Sequence, residues 1–156
     1  MIFSLDRETG KVLWQIDNNN KGVASLLKHQ DSSYAYIANS FEIQLVNLFD
    51  GSIKWHHEFS QPMAAVHKAD MAMDSLGRLF VAHRVKNMTG LLMCFNNNGR
   101  LIWQKKNLGI YHLAIGTNRV YTRSHSIKAL NAETGETIWT RYVAGCSPLS
   151  VYNDKV

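Results

Sequence analysis

Cysteine is scarce in this chain. Only Cys94 and Cys146 occur, and neither stands in a CxxC or other metal-ligand spacing, so the sequence predicts no disulfide framework and no thiolate metal site, and buried free thiols are the expected state. Clustered charge is also missing. The formal net charge of +5 is spread along 156 residues and the densest basic patch is Lys105 with Lys106, which speaks against a nucleic-acid partner and for a solvated face. No run of about 18 apolar residues is present to form a membrane-spanning helix. The opening MIFSLDRETG has no basic segment leading into an apolar stretch, so no signal peptide is visible. Helical periodicity is absent as well, since no segment of about 12 residues repeats its apolar positions at helical spacing. What remains, with 46% hydrophobic residues and 19% charged, has the composition of a folded globular chain built from strands.

What is present is a repeat. A Gly stands four residues before each of the four Trp residues: Gly10 and Trp14, Gly51 and Trp55, Gly99 and Trp103, Gly135 and Trp139. Successive Trp are about 36 to 48 residues apart, a period that means stacked supersecondary units. The clearest copy reads ALNAETGETIW at Ala129 to Trp139, with weaker copies at Ser4 to Trp14, Leu45 to Trp55 and Cys94 to Trp103.

Between these marks the chain alternates short apolar runs with turn residues every 8 to 12 positions, the pattern of an all-β fold. Residues 1–17 read as half a unit, a hairpin of Ile2 to Leu5 and Lys11 to Ile16. Residues 23–59, 64–105 and 111–143 read as full four-stranded units, and 147–156 as the start of a further one. The expected domain is thus one all-β unit over 1–156 with about four blades of four antiparallel strands. It would be part of, or half of, a larger ring.

The physical reason for the repeated pair is partly legible. The turn between third and fourth strands needs a residue that tolerates positive φ, which Gly supplies, while Asp6, Asn47 and Asn131 are suited to bonding the turn backbone. The Trp presents a large apolar face and one N–H donor to a neighbouring sheet. A four-stranded unit cannot bury both faces alone, and radial stacking in a propeller solves that problem.

Ala129, Asn131, Thr134, Gly135 and Trp139 resemble the tryptophan-docking repeat AxDxxTGxxxW of the pyrroloquinoline-quinone-type (quinoprotein-like) β-propellers, with Asn in place of Asp. Asp6, Thr9, Gly10 and Trp14 resemble it too. The middle copies keep Asn47, Gly51 and Trp55, and Gly99 and Trp103, with Leu45 and Asp50 at the Ala and Thr positions and a turn one residue shorter in the third copy. The resemblance covers essentially the whole chain. It implies either of two classes: dehydrogenases holding the quinone and calcium on the propeller axis, or non-catalytic scaffolds, among them a lipoprotein of the outer-membrane protein assembly machinery. It also implies an extracytoplasmic location.

The residues favour the scaffold. A dehydrogenase of this kind is expected to carry an adjacent Cys-Cys pair, a catalytic Asp and a Glu/Asn/Asp calcium set, and no Cys-Cys pair occurs. Asp70 and Asp74 are four apart, and Asp74 enters a Ser75-Leu76-Gly77 turn, where an Asp ordinarily bonds backbone. His56 and His57 are adjacent on a predicted strand, so they face opposite ways and do not chelate one ion. His29, His67, His83, His112 and His125 are scattered. Ser124-His125-Ser126 reads as a turn, not a triad, and Asn87-Met88-Thr89 forms a glycosylation sequon that matters only in a secreted chain. We therefore expect no catalytic, cofactor or metal site, and a protein or peptide partner met by loops and blade edges. The alternatives are a piece of a quinone-dependent dehydrogenase whose ligands lie outside this chain, and a homodimer completing an eight-bladed ring.

Overall fold

The computed structural model describes residues 1–17, 25–60, 69–84, 90–106, 108, 110, 112–143, 148–152 and 155–156. All elements among them are strands, and they fall into two compact units, Met1–Lys68 and Ala69–Val156.

The first unit holds a hairpin, β1 (Ile2–Leu5) with β2 (Val12–Ile16), and a four-stranded meander of β3 (Ser25–Lys28), β4 (Tyr34–Ala38), β5 (Glu42–Asn47) and β6 (Ile53–Glu58). The second holds two such meanders. One is β7 (Asp70–Met73), β8 (Leu79–Arg84), β9 (Gly90–Phe95) and β10 (Leu101–Lys105). The other is β11 (His112–Gly116), β12 (Arg119–Arg123), β13 (Ser126–Asn131) and β14 (Thr137–Tyr142). Every pairing is antiparallel and joins sequence neighbours, which keeps each connection short.

Burial follows position within a meander. In β8 and β9 nearly every residue is buried, whereas β6 and β10 largely alternate between exposed and half-buried and β14 is exposed except at Trp139. A middle strand covered on both faces reads as a continuous apolar run, and an outer strand alternates. In the second unit the core runs between the two sheets, with Phe80, Leu92 and Cys94 of the first packed against Leu113, Val120 and Leu130 of the second. At ~25 cal/mol per Å² of apolar area, burial of this kind is the main favourable term holding two meanders together.

Each meander, and the β1–β2 hairpin in the corresponding position, carries one irregularity in the same place. The register between third and fourth strands shifts just before the Trp, so that Leu13, Lys54, Ile102 and Ile138 are extra residues beside Trp14, Trp55, Trp103 and Trp139. A bulge re-aims the side chains that follow it. Here it recurs with the Trp. Past β14, Leu149 and Val151 pack, as Trp139 does, against Ala114, Tyr121 and Ala129. Tyr152 and Lys155 then close a small bridge through two backbone hydrogen bonds.

Candidate functional site: the blade turns and what they dock

The turn from third to fourth strand is built identically in three copies. Gly10, Gly51 and Gly135 each donate their N–H to the carbonyl four residues back, on Asp6, Asn47 and Asn131. The Asp6 carboxylate accepts from the N–H groups of Glu8 and Thr9 and from the Thr9 hydroxyl, the last at 2.7 Å. That hydroxyl bond, more than any other cause, holds the Asp6 pKa below its ordinary value. The Asn131 amide oxygen accepts from Glu133 and Thr134, and that of Asn47 from Phe49.

Departures from the motif keep its bonds. Thr9 Oγ1 and Thr134 Oγ1 accept from the N–H two residues on, at Lys11 and Glu136, and Asp50 does the same for Ser52 through Oδ1 at 2.8 Å. Asp50 therefore replaces Thr in sequence without losing its bond. In the remaining copy the Gly99 N–H reaches back three residues, to Asn96, whose side chain accepts from Asn98 and Arg100. Asn96 is the turn's side-chain acceptor, a role the sequence reading left unassigned.

Docking between neighbouring sheets uses the same turns. Trp14 Nε1 donates to the Leu48 carbonyl at 2.8 Å, inside the turn that ends at Gly51. Trp103 Nε1 donates to the Ala132 carbonyl at 3.1 Å, inside the turn that ends at Gly135. The glycines face the rings: a Cβ on Gly51 would lie 3.0 Å from the Trp14 ring, and one on Gly135 only 2.7 Å from the Trp103 ring. Gly is thus required twice, for φ of 76° and 73° and for contact. Lys105 adds a clip, reaching the Gly135 carbonyl and the Thr137 hydroxyl, both at 3.1 Å.

Within each full sheet the Trp also has an aromatic companion. Trp55 leans on Tyr36, Trp103 on Phe80 and Trp139 on Tyr121, with ring centroids 5.8 to 6.0 Å apart. The residue between them in the register is Leu45, Cys94 or Ala129, each fully buried. This row explains the Ala of the motif, since a small or flexible side chain lets two rings meet across it. Cys94 is free and buried, and burial pushes its thiol up to about 12, so it is inert packing. Cys146 lies outside the described residues.

The titratable groups singled out in the sequence occupy separate places. Among the described residues no three His, Cys, Asp or Glu side chains gather to hold a metal. His56 is exposed and His57 half-buried on opposite faces of β6, and burial, with His56 beside it, lowers the pKa of His57. His83 is fully buried on β8, His29 packs edge-on to Tyr34 and Tyr36, and His125 sits in a turn closed by the Ser124 N–H and the Ser126 carbonyl. His67 and the sequon at Asn87 lie outside the described residues. Asp74 accepts from the N–H groups of Leu76 and Arg78 and pairs with the Arg78 guanidinium at 2.6 Å. That carboxylate is thus occupied by its own turn, and Cys94 and Cys146 are remote in sequence.

Asp70 does something else. Its carboxylate accepts the Leu113 N–H at 2.8 Å, tying β7 to β11. Burial raises its pKa above 3.8, and the Leu113 bond and nearby His112 oppose the rise only in part. A folded pKa above the unfolded one means that Asp70 withdraws stability as pH rises from the unfolded value through the folded one. Asp70→Asn keeps the acceptor and removes the charge. In urea unfolding it should match the parent at about pH 3.5 and equal or exceed it at about pH 7. Asp70→Ala should cost about 1–3 kcal/mol by leaving the Leu113 N–H unpaired. A large loss in Asp70→Asn at neutral pH would show that the charge itself is needed.

Comparison with known proteins follows the same lines. Residues 1–106 and again 42–156 match the family described as Outer membrane protein assembly factor BamB. A search of curated proteins finds no match. Among solved structures, BamB from Moraxella catarrhalis superposes with a TM-score of 0.62 at 20% identity over 86% of this chain. The WD40 repeats of RRP9 give 0.66 at 20% identity over 84%. The computationally designed Ika4 protein gives 0.64 at 14% identity over 87% of this chain and 84% of its own. The chain spans 41% of the Moraxella chain and 42% of the RRP9 chain. These likenesses establish the β-propeller fold.

Proposed function

Because the chain belongs to the family described as outer membrane protein assembly factor BamB, we propose that it is a β-propeller scaffold without catalytic activity, whose turns bind a protein partner during complex assembly. One residue carries the reading. Phe49 is 90% exposed at the tip of the β5–β6 turn, where the corresponding residues of two other copies are Glu8 and Glu133. Its N–H is held at 2.8 Å by the Asn47 side chain, so the backbone presents the ring from an ordered turn. A preorganised exposed aromatic is the usual anchor of a protein interface.

The test is a photoreactive phenylalanine at position 49 in the full chain in its own cells, with the same group at Glu133 for comparison. A discrete protein adduct from position 49 alone supports the scaffold. Equal labelling from both positions, or none, contradicts it. Pyrroloquinoline quinone added with calcium should leave the absorbance spectrum of the purified protein unchanged; saturable binding with redox activity would favour the dehydrogenase alternative. A second copy of the chain is the other reading of the partner. This chain covers 84% of Ika4 but 42% of the similarly designed Ika8, so two copies would match most of the longer protein, and an adduct of doubled mass at position 49 would identify it.

A further inference from the structure

The second unit has a cleft of about 690 Å³ where the β7–β8 and β11–β12 turns come together, with Val151 of the C-terminal segment on its wall. That volume lies in the range of ligand sites. Its walls are of two kinds. Met73, Ile115 and Val151 are apolar, and Leu76, 72% exposed, stands on the rim.

The polar wall is built around Arg78. Its side chain is only 13% exposed and is fixed from three directions: Nε donates to Asp74 at 2.6 Å, an outer nitrogen approaches the Asn118 amide oxygen at 3.4 Å, and the guanidinium lies 5.9 Å over the Phe80 ring. A guanidinium has five N–H donors. The others of Arg78 meet no acceptor among the described residues. Asn118, across the cleft, holds φ of 50°, a backbone setting uncommon outside Gly that marks a constrained turn.

We infer that this cleft is a peptide-binding subsite, in which an N–H of Arg78 donates to a backbone carbonyl and an aliphatic side chain rests between Met73, Ile115 and Val151. This rests on the scaffold reading and gives it a second contact point in a different unit from Phe49. The acceptor is a neutral carbonyl because Asp74, 7% exposed, already balances the guanidinium. An incoming carboxylate would meet both charges, and a carbonyl meets only a donor.

Three blocked peptides titrated into the full chain decide it: acetyl-Ala-Leu-Ala-methylamide, its Ala-Gly-Ala counterpart, and acetyl-Ala-Leu with a free carboxylate. The readouts are the NMR signals of the Arg78 Nε–H and of the Met73, Ile115 and Val151 methyl groups. The blocked leucine peptide should shift all four together and saturably, and the glycine peptide should bind about tenfold or more weakly, the value of a buried leucine side chain. Arg78→Lys, which keeps a cation beside Asp74, and Leu76→Ala at the exposed rim should each weaken the leucine peptide several-fold while retaining the far-ultraviolet circular dichroism of the parent. No saturable shift, or equal binding of leucine and glycine peptides, overturns the proposal. Tighter binding of the free carboxylate overturns the neutral-carbonyl assignment. A silent cleft beside a positive cross-link at Phe49 would end this inference and leave the scaffold standing; the reverse pair of results would do the opposite.

Discussion

Trp103→Ala is expected to lower the stability of the second unit by about 3 kcal/mol, the low end of the range for removing a core aromatic, because the ring is half-buried. Three losses combine. The ring contributes to the core shared by the two sheets, it leans on Phe80, and its N–H donates to the Ala132 carbonyl at 3.1 Å. Trp103→Phe keeps much of the area and loses the hydrogen bond, so it should cost less. Urea unfolding followed by far-ultraviolet circular dichroism measures both without depending on the fluorescence of the residue removed. A Trp103→Ala protein within about 1 kcal/mol of the parent would mean that the ring is surface decoration.

Gly135→Ala is the second large effect, and Gly10→Ala is its control. Both glycines have positive φ, 73° and 68°, so each substitution carries the left-handed penalty of about 1–2 kcal/mol. They differ in what a new Cβ would meet. At Gly10 nothing lies within 4 Å, whereas at Gly135 the Trp103 ring is 2.7 Å away. Gly135→Ala must therefore also push the ring out of its seat, and overpacking of this kind adds about 1–3 kcal/mol. If the two substitutions cost the same, the glycines serve the turn alone.

The turn and the docking pair differ in how far sequence reveals them. Positive φ at Gly10, Gly51, Gly99 and Gly135 is local chemistry, and the spacing of turn residues shows it directly. The shorter turn of the third copy is legible for the same reason, since one residue fewer separates Gly99 from its acceptor on Asn96. The contact of Gly135 with Trp103 joins residues 32 apart in sequence, and no local rule contains it. The bulges at Leu13, Lys54, Ile102 and Ile138 escape for a related reason. A register shift is a property of two strands, and an apolar residue before a Trp reads as ordinary strand. The aromatic row of Tyr36, Phe80 and Tyr121 was available in principle, because each lies on the second strand of its sheet beside a motif position. Its signal is weak alone, as Tyr and Phe are common in strands for packing reasons of many kinds.

The two proposed contact points divide the same way. Phe49 stands out once the copies are aligned, since an exposed turn tip that carries Glu elsewhere has no folding reason to carry Phe. The cleft beside Arg78 could not be read, because it is made by two turns 40 residues apart, Arg78 and Asn118 being the pair that meets across it. Asp74 illustrates the limit. Sequence identifies it as a turn residue, and it is one, yet its carboxylate also sets the side chain that lines the cleft.

Trp14 and Trp103 each dock on the turn glycine of the next sheet within their own unit, and a double-mutant cycle on Trp103 and Gly135 tests that docking most directly. With Trp103 already replaced by Ala, the obstruction at position 135 is gone. Gly135→Ala should then cost only the backbone penalty of about 1–2 kcal/mol, the same as Gly10→Ala, and the two substitutions together should cost clearly less than their separate costs added. Strict additivity would contradict the account, for it would mean that ring and glycine do not touch.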